Sequence, residues 1–60
     1  MSDKLKYYQA LKASNGCFEE IELGEQLGFE EDTTRKIISS LLSEYRIKFE
    51  THGKCSYRVI

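Results

Sequence analysis

The chain has 60 residues, 40% of them hydrophobic, and a formal net charge of −1, which suits one small domain over residues 1–60. Such a domain has little room for a substrate cavity beside its core. With no catalytic triad, phosphate-binding glycine loop or zinc-ligand spacing, we expect neither an enzyme nor a bound cofactor. No apolar run approaches the ~18 residues of a membrane span and no signal peptide opens the chain, so we expect a cytoplasmic protein.

The first predicted helix begins after Ser2, whose hydroxyl can cap it, and ends at Asn15-Gly16, which tolerates a left-handed backbone. Helical spacing places three side chains on its buried face: Leu5, Tyr8 and Leu11. Tyr7 does not fit this stripe. We expect it to be a partly exposed aromatic residue, and the alternative is a contact with a partner.

A second, short helix is predicted over about residues 22–27, after an extended connector in which Phe18 and Ile21 are apolar anchors. Leu23 and Leu27 lie one turn apart and should point inward. Gly24 costs the helix stability but should allow another backbone to approach closely. Gly28 should end the helix, after which Phe29 returns to the core.

A third, longer helix is predicted over about residues 32–45, with Asp32 as its N-cap. Its buried stripe comprises Thr34, Ile37, Ile38, Leu41, Leu42 and Tyr45. Its opposite, solvent-facing side carries Arg35, Lys36, Ser39, Ser40 and Ser43. A short-polar and basic face on a helix that follows a glycine turn is typical of a helix-turn-helix.

Residues 46–51 and 55–60 alternate in polarity, which predicts a hairpin. Pairing Phe49 with Tyr57 and Ile47 with Val59 keeps apolar side chains on one face. This register opposes Thr51 to Cys55, leaves residues 52–54 in the loop, and puts Arg46, Lys48, Glu50, Ser56 and Arg58 on the other face. A two-residue turn at His52-Gly53 would instead pair Phe49 with Ser56 and mix the faces. The predicted core is Leu5, Tyr8, Leu11, Ile21, Leu23, Leu27, Phe29, Ile38, Leu41, Ile47, Phe49 and Val59.

Cys17 and Cys55 belong to no metal-binding or redox motif, so we interpret them as free thiols, with a disulfide between them as the alternative. His52 is the single histidine. At a hairpin tip we interpret it as a solvated turn residue rather than a ligand. No metal site is therefore predicted.

Charge is distributed unevenly along the chain. Residues 19–32 contain seven acidic and no basic residues, whereas residues 33–60 contain six basic residues against two acidic ones. An acidic run is often only a solvated face, but it can also be a contact surface for a partner. The basic surplus coincides with the third helix and the hairpin, which favours a polyanionic partner there.

The order of these elements resembles the winged-helix domain, especially the compact form of bacterial transcription regulators. The most specific part is residues 22–29, Glu-Leu-Gly-Glu-Gln-Leu-Gly-Phe, which is similar to the family's Glu-Leu-Ala-x-x-Leu-Gly-Leu run. Without gaps, the family's threonine, two leucines and isoleucine align with Thr33, Ile38, Leu41 and Ile47. The resemblance implies that residues 32–45 form the recognition helix and residues 51–56 the wing.

The sequence departs from that pattern in three places. Thr34 stands where the family usually has a core valine, and Tyr45-Arg46 replaces its Gly-Leu pair. Glu30 and Glu31 also occupy positions where the family often has serine or a base near the phosphates.

Two functions are therefore expected. The first is binding of double-stranded DNA by a transcriptional regulator that is a monomer or a weak homodimer. Its major-groove contacts would be Thr33, Arg35, Lys36, Ser39 and Ser40, and its backbone contacts Lys48, Lys54 and Arg58. The alternative is a protein-interaction module on the same fold, with Glu22 and Glu25 of the acidic second helix as the contact surface.

Overall fold

A computed structural model describes residues 2–50 and 53–60. Three helices precede a two-stranded antiparallel hairpin: α1 (Asp3–Ser14), α2 (Glu20–Gln26), α3 (Glu31–Ser43), β1 (Ile47–Phe49) and β2 (Tyr57–Val59). The expected α+β class, with the hairpin after the helices, is confirmed. In the part of the chain that the structure describes, no helix is long and apolar enough to cross a bilayer.

The ends of α1 are those expected. The Ser2 hydroxyl accepts a hydrogen bond from the Leu5 backbone N–H at 3.2 Å, which satisfies one of the free donors of the first turn. Asn15 takes the left-handed conformation with φ of 48°, and its N–H donates to the Leu11 carbonyl. Local side-chain chemistry therefore accounts for where this helix starts and stops.

Helix α2 begins two residues earlier than predicted. Glu19 is its N-cap, and the carboxylate accepts hydrogen bonds from the N–H groups of Ile21, at 2.9 Å, and Glu22, at 3.4 Å. Sequence reasoning missed this start because glutamate is a less common cap than serine or aspartate. The predicted role of Gly28 is confirmed, since it turns the chain with φ of 87° just after Leu27, the C-cap of the helix.

Helix α3 runs from Glu31 to Ser43, so the predicted bounds and the predicted N-cap at Asp32 are both wrong. The capping residue is Glu30, whose extended backbone begins the helix without a side-chain hydrogen bond. At the other end Tyr45 adopts a left-handed conformation with φ of 59°. This turn points the Tyr45 ring into solvent, 84% exposed, so its predicted place in the buried stripe is also wrong.

The buried core differs from the prediction mainly on α1. Tyr7, expected to be partly exposed, is fully buried, and its hydroxyl donates to the Glu20 carbonyl at 2.8 Å. Leu5 is 40% exposed, and Tyr8 is half-buried at the edge of the core. The packing of α2, α3 and β2 around α1 selects the Tyr7 face. The buried cluster is Tyr7, Leu11, Leu23, Ile37, Ile38, Leu41, Ile47 and Cys55.

The predicted hairpin register is confirmed: Ile47 pairs with Val59 and Phe49 with Tyr57. The Phe49 and Tyr57 rings pack edge to face, with centroids 5.8 Å apart. Phe49 is nevertheless 66% exposed, so its predicted place in the core is wrong. Thr51 and His52 lie outside the described residues, and so do the predicted pairing of Thr51 with Cys55 and the loop role of His52.

The two cysteines are free thiols, as expected. Cys17 is exposed and Cys55 is buried. Burial raises the pKa of the Cys55 thiol, which favours its neutral form in the fold. The other predicted core residues, Ile21, Leu27, Phe29 and Val59, are half-buried around the central cluster.

A close contact between α2 and α3 explains Gly24. The neighbour is not a backbone, as predicted, but the side chain of Thr34, which is fully buried. A Cβ on Gly24 would overlap all three heavy atoms of that side chain, Cβ, Oγ1 and Cγ2. Thr34 Oγ1 is buried without a hydrogen-bond partner among the described residues. At this point the two helices therefore touch by close packing, without a hydrogen bond from the Thr34 hydroxyl among the described residues.

Replacing Gly24 with alanine should lower the free energy of unfolding by about 1–3 kcal/mol, because the short, β-branched Thr34 cannot swing away from the added methyl. The measurement is urea unfolding followed by circular dichroism. Gln26→Ala on the exposed side of the same helix is the control and should change stability by less than about 0.5 kcal/mol. Adding Thr34→Ala should recover part of the Gly24→Ala loss; strictly additive losses would contradict the assigned contact.

Candidate nucleic-acid interface

The outer face of α3 is open to solvent. Asp32, Lys36, Ser39 and Ser43 are exposed along it, and the buried residues lie on the opposite side. This arrangement follows from helical spacing, because residues at the same phase of a 3.6-residue turn share a face. The structure thus brings the predicted Lys36 and Ser39 together on an accessible surface. Thr33, also predicted to contact DNA, is half-buried at the flank of this face.

Arg35 is exposed but bound to an acidic neighbour. Its guanidinium Nε donates to Glu31 Oε2 at 2.9 Å, one helical turn away. Glu31 raises the pKa of Arg35, and Asp32 and Glu19 add to the effect. The i, i+4 spacing of Glu31 and Arg35 is visible in the sequence and could have predicted this pair. A DNA phosphate would have to compete with the Glu31 carboxylate for this guanidinium.

Ser40, also predicted to contact DNA, lies at a flank of the outer face where Lys4 of α1 approaches it. It is half-buried, and its hydroxyl accepts a weak hydrogen bond from Lys4 Nζ of α1 at 3.5 Å. Lys4 also forms an ion pair with Glu44. Glu44 Oε1 in turn lies 3.1 Å from Arg46 Nε. The hydrogen bond from Lys4 lowers the pKa of Glu44. Sequence reasoning missed this group because Lys4 is far from its partners in the chain.

The hairpin presents two lysines to solvent. Lys48 is exposed on β1, with its Nζ 3.5 Å from a Glu50 carboxylate oxygen. Lys54 is exposed in the loop that precedes β2, and its backbone N–H donates to the Gly16 carbonyl at 3.2 Å. That bond ties the loop to the end of α1 and leaves the Lys54 side chain outward.

Arg58 is half-buried instead of extending from the hairpin. Its Nη1 donates to the carbonyls of Cys55, at 3.1 Å, and Tyr57, at 3.0 Å. The guanidinium lies against Gly16, where a Cβ would overlap it and where φ is 84°. Arg58 therefore packs between the chain before β2 and the loop after α1. To bind a phosphate, as predicted, it would have to leave these carbonyls.

A solvent-open groove of about 350 Å³ lies between α3, the start of α2 and the hairpin. Its walls combine apolar side chains with three charged ones. They are Glu19, Glu20, Ile21, Arg35, Ile38, Ser39, Leu42 and Tyr57. Because Arg35 and Ser39 belong to it, the groove adjoins the outer face of α3. No sequence pattern pointed to this groove, since its walls come from three separate segments.

The acidic side of α2 is a separate surface. Glu22 and Glu25 are exposed, and neither carboxylate forms an ion pair or a side-chain hydrogen bond within residues 2–50 and 53–60. The same part of the chain contains no group of three or more His, Cys, Asp or Glu side chains placed to hold a metal ion.

No family model matches the chain, and no curated protein or solved structure shows significant similarity to it. The arrangement of three helices and a hairpin is compatible with a winged-helix layout.

Proposed function

We propose that the chain is a winged-helix protein that binds double-stranded DNA as a transcriptional regulator. In this proposal α3 is the recognition helix, inserted in the major groove, and the hairpin contacts the sugar–phosphate backbone. One observation carries the proposal: the outer face of α3, with Lys36 and Ser39, is left uncovered beside the hairpin that presents Lys48 and Lys54. The family assignment rests on the resemblance of residues 22–29 and on this compatible layout.

The charges of this face limit the expected affinity. Of the five predicted cationic contacts, Arg35 and Lys48 lie next to carboxylates and Arg58 is bound to backbone carbonyls. Lys36 and Lys54 remain, with side chains that form no ion pair among the residues described. Glu30, Glu31 and Asp32 at the start of α3 would repel the same phosphates. Isolated domains should therefore bind weakly, with Kd in the non-specific range of roughly 10⁻⁴–10⁻⁶ M.

Lys36→Ala should weaken binding to a fluorescein-labelled random duplex by about tenfold at ~50 mM salt, because the variant neutralises one phosphate fewer and so releases one counterion fewer. The slope of log K against log salt should fall by about 0.9. Fluorescence anisotropy over a salt series measures both quantities. Lys12→Ala, which removes an exposed lysine from α1, is the matched control and should change neither.

The acidic residues supply the opposite test. Glu30→Gln combined with Glu31→Gln should strengthen DNA binding. The two substitutions remove repulsion of the phosphates and release Arg35 from its ion pair with Glu31. Thermal melting should show all variants folded, since each substituted side chain is exposed. If Lys36→Ala and Lys12→Ala lose affinity equally, DNA does not bind through the outer face of α3.

A second candidate function is a protein-interaction module that uses Glu22 and Glu25 of α2. It is favoured by the exposure of both carboxylates and by their lack of partners in the described part of the chain. A complete absence of duplex binding at low salt would favour this alternative. If a partner protein then fails to bind a variant in which Glu22 and Glu25 are replaced by lysine, this alternative is supported.

A further inference from the structure

We propose that the groove between α3, the start of α2 and the hairpin is a docking site for a basic, amphipathic peptide segment of a partner protein. This segment would insert one large apolar side chain between Leu42 and Tyr57 and place lysines or arginines against Glu19 and Glu20. The proposal goes beyond DNA binding and does not depend on it.

The apolar part of the groove is incompletely covered. Ile38 forms its buried floor, whereas Ile21, Leu42 and Tyr57 are only half-buried along its walls. Its volume of about 350 Å³ is at the small end of ligand pockets, which suits one or two inserted side chains rather than a whole helix. Such a site favours an extended peptide segment as the occupant.

Phe49 extends this apolar surface beyond the groove. Its ring packs edge to face on Tyr57, which lines the groove, yet it is 66% exposed. Phe49 lies on the same hairpin face as the buried Ile47, because side chains two residues apart in a strand share a face. The hairpin therefore carries its apolar face past the core and leaves the Phe49 ring for another apolar group to cover.

The charge around the groove selects a positively charged occupant. Glu19 and Glu20 outnumber Arg35, the one basic side chain that lines the groove, and Arg35 is already paired with Glu31. Backbone donors hold two of the carboxylates in place: the Ile21 N–H contacts Glu19 and the Ser56 N–H contacts Glu20 at 3.2 Å. A lysine or arginine beside the inserted apolar side chain would meet these preorganised acceptors.

Occupation of the groove would also cover Arg35 and Ser39, which belong to the proposed DNA-binding face. A bound peptide and a duplex on α3 would therefore exclude one another. In a chain that does bind DNA, such a partner would act as a competitor for the recognition helix.

The test is an NMR titration of the ¹⁵N-labelled 60-residue chain with a synthetic peptide in which a leucine and a phenylalanine are flanked by lysines. Shifts should concentrate on the amides of residues 19–21, 38–42 and 57. A peptide with glutamates in place of the lysines should not bind, nor should one with alanines in place of the two apolar residues. Shifts confined to other surfaces would overturn the proposal.

Matched variants locate the binding energy. Phe49→Ala should weaken peptide binding by about fivefold or more, whereas Tyr45→Ala, at an exposed aromatic outside the groove, should not. Glu19→Gln with Glu20→Gln, which keeps hydrogen-bond acceptors, should weaken it by about threefold to tenfold. Glu22→Gln with Glu25→Gln removes the same charge from the exposed side of α2 and should leave binding unchanged. Equal losses in variants and controls would refute the site.

Two further outcomes would assign the groove to another occupant and so overturn the proposal. One is concentration-dependent shifts of the groove amides without peptide, which would identify a second copy of the chain. The other is that duplex DNA changes the chemical shifts of these amides. In that case Glu19→Gln with Glu20→Gln would strengthen DNA binding and leave peptide binding unaffected. The Lys36→Ala salt series tests DNA binding by itself, so failure of either proposal is distinguishable.

Discussion

Replacement of Tyr7 by alanine is expected to lower the free energy of unfolding by about 3–5 kcal/mol. The side chain is fully buried between helices and its hydroxyl donates to the Glu20 carbonyl, so the change removes a large ring and a hydrogen bond together. Small domains have roughly 0.05–0.15 kcal/mol of stability per residue, so this loss is a large part of the ~3–9 kcal/mol that 60 residues supply. Urea unfolding followed by circular dichroism measures it.

Tyr8→Ala is the matched control, because Tyr8 is an adjacent tyrosine on the same helix that is only half-buried. It should cost clearly less than Tyr7→Ala. Tyr7→Phe should cost about 1 kcal/mol, since it keeps the ring and loses one hydrogen bond. Equal losses for Tyr7→Ala and Tyr8→Ala would contradict the packing of α1.

The pH dependence of stability offers an independent check on Tyr7. Burial, with smaller contributions from Cys55 and Glu20, raises the pKa of Tyr7 well above its ordinary value. The unfolded chain ionises this phenol at pH ~10, whereas the folded chain keeps it protonated there. The contribution of the protonated Tyr7 phenol to the free energy of unfolding is therefore fully present below pH ~10 and declines as the pH rises above that value. The stability advantage over Tyr7→Phe should therefore shrink above pH ~10; a constant difference would contradict the burial of the phenol.

Leu41→Ala is expected to cost about 2–5 kcal/mol, because it leaves a cavity at the centre of the core. Leu41 is 1% exposed and belongs to the cluster where α3 meets the other helices and β1. The variant should unfold at a much lower urea concentration, with a slope similar to that of the parent chain.

Leu5→Ala is the control for this second prediction. The two residues lose the same atoms, but Leu5 is 40% exposed, so its replacement should cost less than about 1.5 kcal/mol. Sequence periodicity placed both leucines in the core, and the structure separates them. If Leu5→Ala costs as much as Leu41→Ala, the assigned orientation of α1 is wrong.

Much of the candidate site followed from helical spacing, and part of it did not. The exposure of Lys36 and Ser39 was predicted because both lie opposite the apolar stripe of α3. The half-burial of Ser40 was not predicted, since it depends on Lys4 of α1 approaching that flank. Arg58 was predicted on the outer face of the hairpin, but its guanidinium turns back to carbonyls near Gly16, which alternation along a strand cannot anticipate.

The sequence by itself determined the order and type of the elements, the caps of α1 and the register of the hairpin. These features depend on neighbours close in the chain: a serine before a helix, a left-handed asparagine after it, and apolar residues at every second position. Only the tertiary structure decided that Tyr7 is buried, that Phe49 is exposed and that a groove forms beside α3. The reason is geometric, because burial depends on which distant segments pack against a face and how far they extend. A chain this short covers only part of each apolar face, so periodicity could not predict which part of a face stays exposed.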